Sequence, residues 1–310
     1  MATVFLRFSP AGMRGGRAKK FLAVLGCLVF LAIAFRDTGA FAENARAGLM
    51  LFGLNVLPVL FPFFFVSGLI VELDLFTNKR FARAGVVLIS LLAGYPTSAR
   101  MLSQLYTRNY LDSVAAFQMS TYTSTVSPIF VIATVGSSLY GDARLGILIY
   151  VAHVAGAGLN GLLWVSAWGK AGGRGRRVDS AASFTGARRV PTNADVPEAI
   201  SAALGSAVQN VLAVGGLVII FFIASAPLGV GAAAILELTT GLWRAEAVTR
   251  GVWRAVVPCA IVSFGGLCIA MQGFVFAKTF GMPAWFYFSY KITHAAFAVG
   301  VCAGAYFLVY

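Results

Sequence analysis

The stretch "LLAGYPTSARML", residues 91–102, decides how this chain is read. It lies inside an apolar run, yet its centre holds Gly94, Tyr95, Pro96, Thr97, Ser98 and Arg100. Glycine and proline interrupt a helix, and hydrocarbon disfavours a guanidinium. Broken backbone at membrane depth is tolerated only where protein buries it or water bathes it. The stretch therefore predicts a re-entrant helical hairpin with its tip in a protein interior.

The whole chain supports the membrane premise. Its 310 residues are 59% hydrophobic and 11% charged, with a mean hydropathy of +0.83. A soluble domain carries about 25% charged residues, so a single water-soluble core is excluded and a polytopic all-α membrane protein is expected. The net charge is +13, but the basic residues gather in the N-terminal arm and a few loops. That is the pattern of membrane orientation, not of a nucleic-acid groove, so no nucleic-acid partner is expected. Cys27, Cys259, Cys268 and Cys302 lie in apolar runs without a CxxC pair or Cys/His ligand spacing. Neither a disulfide framework nor a metal site is indicated.

Apolar runs mark spans near 20–36, 47–73, 145–168, 200–226 and 284–310, with long interrupted runs at 111–140 and 253–279. The first run, behind a basic stretch, has the form of a signal peptide, with "AFA" at 40–42 as a cleavage-like site. The membrane-embedded remainder favours an uncleaved first span. The broken stretches 85–107 and 231–248 read as re-entrant hairpins. With a cytoplasmic N-terminus, the cytoplasmic side collects most of the 24 lysines and arginines, Lys278 and Lys291 among them. The opposite side holds Arg36, Arg46, Arg144, Arg244, Arg250 and Arg254. This bias sets the orientation.

A Gly/Ser/Arg-rich cytoplasmic linker, 169–198, separates two halves, 46–168 and 199–310, behind an N-terminal arm and first span at 1–45. Each half has a long span, a broken hairpin, a span interrupted by small polar residues, and a last span carrying one histidine. His153 and His294 fall at matching places. Because 47–73 and 200–226 cross in opposite directions, the halves form an inverted repeat with two re-entrant hairpins and two discontinuous helices, the architecture of secondary transporters.

The candidate substrate-binding residues are those at the breaks. Gly94, Tyr95, Pro96, Thr97 and Ser98 make the first tip, and Thr239 and Thr240 the second. Ser124, Thr125, Ser127 and Pro128 interrupt one span; Ser263, Gly265 and Gly266 interrupt the other, with Gln272 beyond them. Glu237 is the carboxylate deep in an apolar context, which costs about 2–3 kcal/mol on insertion scales and implies a use. It would bind a cation, carry a proton, pair with a basic group, or cap a helix. Arg100 would fork onto a substrate carboxylate, pair with Glu237 or snorkel to the interface. The histidines are expected to pack or make structural hydrogen bonds.

The blocks "AGYPTSARMLSQLY", "STVSPIFVIATVG", "LGILIYVAHVAGAGLNGLLW", "AVQNVLAVGGLVIIF", "ILELTTGL" and "SFGGLCIAMQ" resemble the YlbJ family of sporulation integral membrane proteins. That family sits in the wider nucleoside-recognition, or Gate domain, group, remotely related to concentrative nucleoside transporters. The family usually has an Asn-Asn-Ser run where this chain has Ser124-Thr125-Val126-Ser127, Gly at Ser98 and Lys at Arg100. The resemblance implies a concentrative-nucleoside-transporter-like fold and a small planar dianion such as dipicolinate as solute.

The expected function is secondary transport of a small anionic solute by alternating access, in the cell membrane, with no cofactor beyond a coupling H+ or Na+. The solute and the lipid bilayer are the expected partners, and a homo-oligomer is compatible. A nucleoside-like solute is one alternative, and a non-transporting scaffold of an envelope or sporulation assembly is another. An enzyme is not expected, because no GxSxG or Ser–His–acid relay appears. No GxxxxGK[ST] motif appears either, so a gradient would supply the drive.

Overall fold

The computed structural model describes residues 13–76, 78–172 and 195–310. Much of the expected 169–198 linker and the start of the basic arm lie outside the described residues. Among the described residues all regular structure is helical, without a strand. Five helical stretches are long and apolar enough to cross a membrane: Thr38–Glu72, Ala143–Ala167, Val196–Ser225, Trp253–Phe280 and Ala284–Val309. Leu54, Leu162, Leu212 and Ile292 point outward from four of them. A chain this apolar that turns leucines outward is an integral, multi-pass membrane protein.

Helix α1 (Met13–Arg36) ends at Asp37, whose side chain accepts the Ala40 N–H at 2.9 Å and starts α2 (Thr38–Leu51). The chain runs on into α3 (Leu57–Glu72) through a widened π turn at Phe52–Val56. Pro58 explains the widening: it has no N–H to give to Leu54, and its ring would crowd that carbonyl in a regular α turn.

The first half then follows the order expected. Helix α4 (Lys79–Ala93) stops at Gly94, the chain turns through a cis Tyr95–Pro96 bond, and α5 (Thr97–Thr107) returns. A Cβ on Gly85 would lie 3.6 Å from the Met101 side chain, so the pair folds back as a hairpin. Helix α6 (Ser113–Thr123) ends where residues 124–127 run without helical structure. After Pro128 the span resumes as a π-wound segment, Ile129–Leu139, before α7 (Ala143–Gly172).

The second half repeats this order. A long helix, α8 (Val196–Ser225), precedes the short pair α9 (Val230–Leu236) and α10 (Leu238–Val248), which breaks at Glu237. A Cβ on Gly241 would lie 2.4 Å from Ala234 Cα, so this pair also folds back. Helices α11 (Trp253–Phe264) and α12 (Gly266–Ala277) are one span interrupted at Gly265 and Gly266, both with positive φ. Helix α13 (Ala284–Val309) closes the chain.

Corresponding helices pack on each other: α3 on α8, and α7 on α13. At the second contact a Cβ on Gly156 would lie 2.6 Å from Ala298 N, so the backbones nearly touch. Asn160 fastens α7 to its neighbours, donating to Thr121 O at 2.7 Å and Tyr290 O at 3.1 Å. At one end of the molecule, Arg108 pairs with Glu72 at 2.5 Å and Thr279 reaches Ser103 at 2.8 Å. At the other, Arg254 donates to Tyr140 O at 3.0 Å and Tyr310 to Asp142. The α4–α5 hairpin is rooted at the first end and the α9–α10 hairpin at the second.

Candidate functional site

Each hairpin tip is seated in the break of its own half. At the first, a Cβ on Gly94 would lie 2.6 Å from Ser127 N, and Thr125 Oγ1 donates to Ser90 O at 2.8 Å, a carbonyl near the end of α4. At the second, a Cβ on Gly266 would lie 3.2 Å from Leu236 O. Tyr95 joins the two assemblies: its hydroxyl donates to Val262 O, in the last turn of α11. A Cβ on Gly265 would sit 3.1 Å from that hydroxyl. The expected residues Gly94, Tyr95, Thr125, Ser127, Gly265 and Gly266 thus converge on one interior region.

Two side chains outside the expected set complete it. His153 Nε2 accepts the Val126 N–H at 3.0 Å, a donor freed by the break. Its Nδ1 therefore carries the proton and donates to Ser263 Oγ at 2.9 Å. His153 is a strut between the broken spans of the two halves. His294 packs against it with ring centroids 4.7 Å apart and ring planes tilted by 41°, and donates from Nε2 to His153 O at 3.0 Å. The expectation of structural hydrogen bonds holds, although nothing in the spacing brought these rings together.

The second is Lys291. The charge distribution assigned it to the cytoplasmic side, but it is 0% exposed within α13. Its Nζ donates to Ser124 Oγ at 3.3 Å and lies 4.5 Å from the centre of the Tyr95 ring. Among the described residues no carboxylate is within ion-pairing distance. The available signal was its place within an apolar span, short of the end, where a lysine is a functional hypothesis by default.

Arg100 and Glu237 do not meet. Arg100 turns away from the breaks, donating to Phe64 O at 2.5 Å, Ser67 Oγ at 3.2 Å and Ser206 Oγ at 2.9 Å. Its guanidinium also covers the Phe64 ring at 5.1 Å. It ties α5 to α3 and α8 and is 1% exposed, so it does not snorkel either. Glu237 caps α10: Oε1 accepts from Thr239 N at 3.0 Å, and Oε2 from Thr240 N at 2.7 Å and Thr240 Oγ1 at 2.9 Å. Capping was among its expected roles, and it satisfies donors that a helix start leaves orphaned. Gln272 reaches only Cys268 Sγ, at 3.3 Å, and Thr97 Oγ1 is buried without a partner.

Two spaces adjoin these groups. A cavity of about 10 Å³ lies between the first tip and the end of α6, lined by Tyr95, Ser98, Ser124, Tyr287 and Tyr290 among others. That is room for about one water molecule. A wider cleft of about 870 Å³ opens between the α1–α2 junction, the end of α8 and α10. It reaches Thr239 and Thr240 and is flanked by Arg36 and Arg244.

Compared with known proteins, the chain is 27% identical over 201 residues to the sporulation integral membrane protein YlbJ of Bacillus subtilis (strain 168). The match covers 58% of this chain and 49% of that protein, so the chain spans about half the length of the curated relative it matches. No family model matches, and no solved structure matches significantly. The similarity bears out the YlbJ-type resemblance.

Proposed function

We propose, from this YlbJ-type membrane protein with paired breaks, that the chain is a secondary transporter for a small anionic solute. The halves form an inverted, concentrative-nucleoside-transporter-like repeat, and the two hairpins are re-entrant from opposite faces of the bilayer. Access to the tips alternates between those faces. The observation that carries this reading is the convergence of two hairpin tips on two helix breaks, bridged by the Tyr95–Val262 hydrogen bond. Irregular backbone in the interior of a membrane protein supplies the ligands of a transport site. The small cavity at the first tip corresponds to a closed state there, while the 870 Å³ cleft leads toward the second tip. The N-terminus lies in the cytoplasm, as the distribution of basic loop residues favours.

Dipicolinate is the first solute to test, through the resemblance. The purified protein is reconstituted in liposomes, and uptake of labelled dipicolinate is measured with a nucleoside as competitor. Saturable uptake, resisted by the nucleoside, supports the anion reading. Competition by the nucleoside redirects it to nucleoside-like solutes. A folded, inserted protein that moves neither solute favours a membrane scaffold.

A further inference from the structure

We infer that Lys291 and the N-terminus of α5 together bind one carboxylate of the solute, which supplies the cap that α5 lacks. The inference rests on the anion-transport reading and assigns its charge-selective residue.

The two hairpins are alike in shape and opposite in polarity. Both return helices start in the interior, where the first N–H groups have no intrahelical acceptor and carry the positive end of the helix dipole. In α10 the Glu237 carboxylate meets the N–H groups of the second and third helical residues, Thr239 and Thr240. In α5 the cap position is Pro96, which offers no side-chain acceptor. The equivalent residues, Ser98 and Ala99, border the small cavity instead. The protein thus contains, at one hairpin, a carboxylate in the arrangement that the other leaves open.

Lys291 is the independent sign that an anion belongs there. It is fully buried, and its one hydrogen bond is to Ser124 Oγ at 3.3 Å. Ser124 lines the same cavity, as does Tyr95, whose ring lies under the ammonium. A buried ammonium without a countercharge is strongly disfavoured: either it gives up its proton or an anion pairs with it, and a solute carboxylate would supply that anion. The Ser98, Ser124 and Tyr290 hydroxyls at the cavity would donate to a second carboxylate oxygen. Arg100, already engaged by α3 and α8, is not the charge the solute meets. At about 10 Å³ the cavity is too small for a carboxylate, so the carboxylate enters as the α4–α5 tip parts from residues 124–128.

The test uses the full chain in detergent, with pyridine-2-carboxylate and its neutral amide, pyridine-2-carboxamide, titrated calorimetrically. Dipicolinate uptake in liposomes is measured on the same preparations. Wild type should bind the carboxylate at least tenfold more tightly than the amide. Lys291→Met should abolish that preference, and Lys291→Arg should keep part of it. Ser124→Asp, which places a carboxylate beside Lys291, should also abolish it while preserving the thermal midpoint, which guards against misfolding of the Met variant. Wild-type preference and uptake that survive both Lys291→Met and Ser124→Asp would overturn this inference and leave the transport reading standing. A wild type that neither prefers the carboxylate nor takes up dipicolinate would overturn both.

Discussion

Val126 shows how a single residue in a break is made tolerable. Its N–H has no helical acceptor and is satisfied by His153 Nε2, while Nδ1 of the same ring holds Ser263 in the other half. His153→Leu strands both partners in the interior, at about 1–3 kcal/mol for each buried group left unsatisfied. A clear fall in thermal midpoint is the expected result; His294 loses the contact with the imidazole ring but keeps its hydrogen bond, which goes to the backbone carbonyl of residue 153. Glu237→Ala removes the α10 cap and should cost about 0.5–2 kcal/mol, with Glu237→Gln losing less, since an amide oxygen still accepts. An unchanged midpoint in the alanine variant would remove Glu237 from the structural account. At this scale the sequence was partly legible. It marked Glu237, Arg100 and both histidines as residues out of place in an apolar chain. Their partners were not legible, because partners are set by three-dimensional proximity: Arg100 and Ser206 are far apart in sequence yet 2.9 Å apart in space.

At the level of elements, the breaks follow from composition. Gly94 has φ 74° and ψ −166°, a conformation open almost only to glycine, and its missing side chain admits the 124–128 segment. Gly94→Ala should destabilise by about 1–3 kcal/mol from backbone conformation alone, and the contact with Ser127 N adds to this. A midpoint matching wild type would mean that the tip can withdraw freely. The start of α7 offers a pH test outside the spans. There the Asp142 carboxylate accepts from Tyr310 and from the N–H groups of Arg144 and Leu145. The Tyr310 hydroxyl first, then the backbone bonds, hold it below the usual carboxylate range, against opposition from burial. Its contribution is therefore complete above about pH 4, the ordinary carboxylate pKa, and is lost as pH falls through the lowered value. Asp142→Asn should flatten that part of a midpoint-versus-pH curve. The hairpins and interrupted spans were legible because Gly, Pro and Ser punctuate apolar runs. The π winding of Ile129–Leu139 was not, since that widened turn depends on what packs against it: Gly136 meets Gly146 of α7 backbone to backbone.

For the whole molecule, the apolar composition and repeated element order are legible in the sequence, while the orientation rests on loop charges. A cysteine introduced at Arg83 should react with an impermeant thiol reagent from the same side as one at Lys278. One introduced at Arg250 should react from the opposite side. Labelling of Arg83 and Arg250 positions from one side would dismantle the inverted arrangement. The contact between α7 and α13 has a mechanical consequence. Where Gly156 meets Ala298, two backbones lie too close for the helices to slide past each other without ridges colliding. In the proposed cycle this point is a fulcrum. The halves would roll about it as levers, with displacements smallest there and growing toward the hairpin tips. A modest rotation at a pair of small residues would then be amplified into the opening of a cavity that now holds little more than a water molecule.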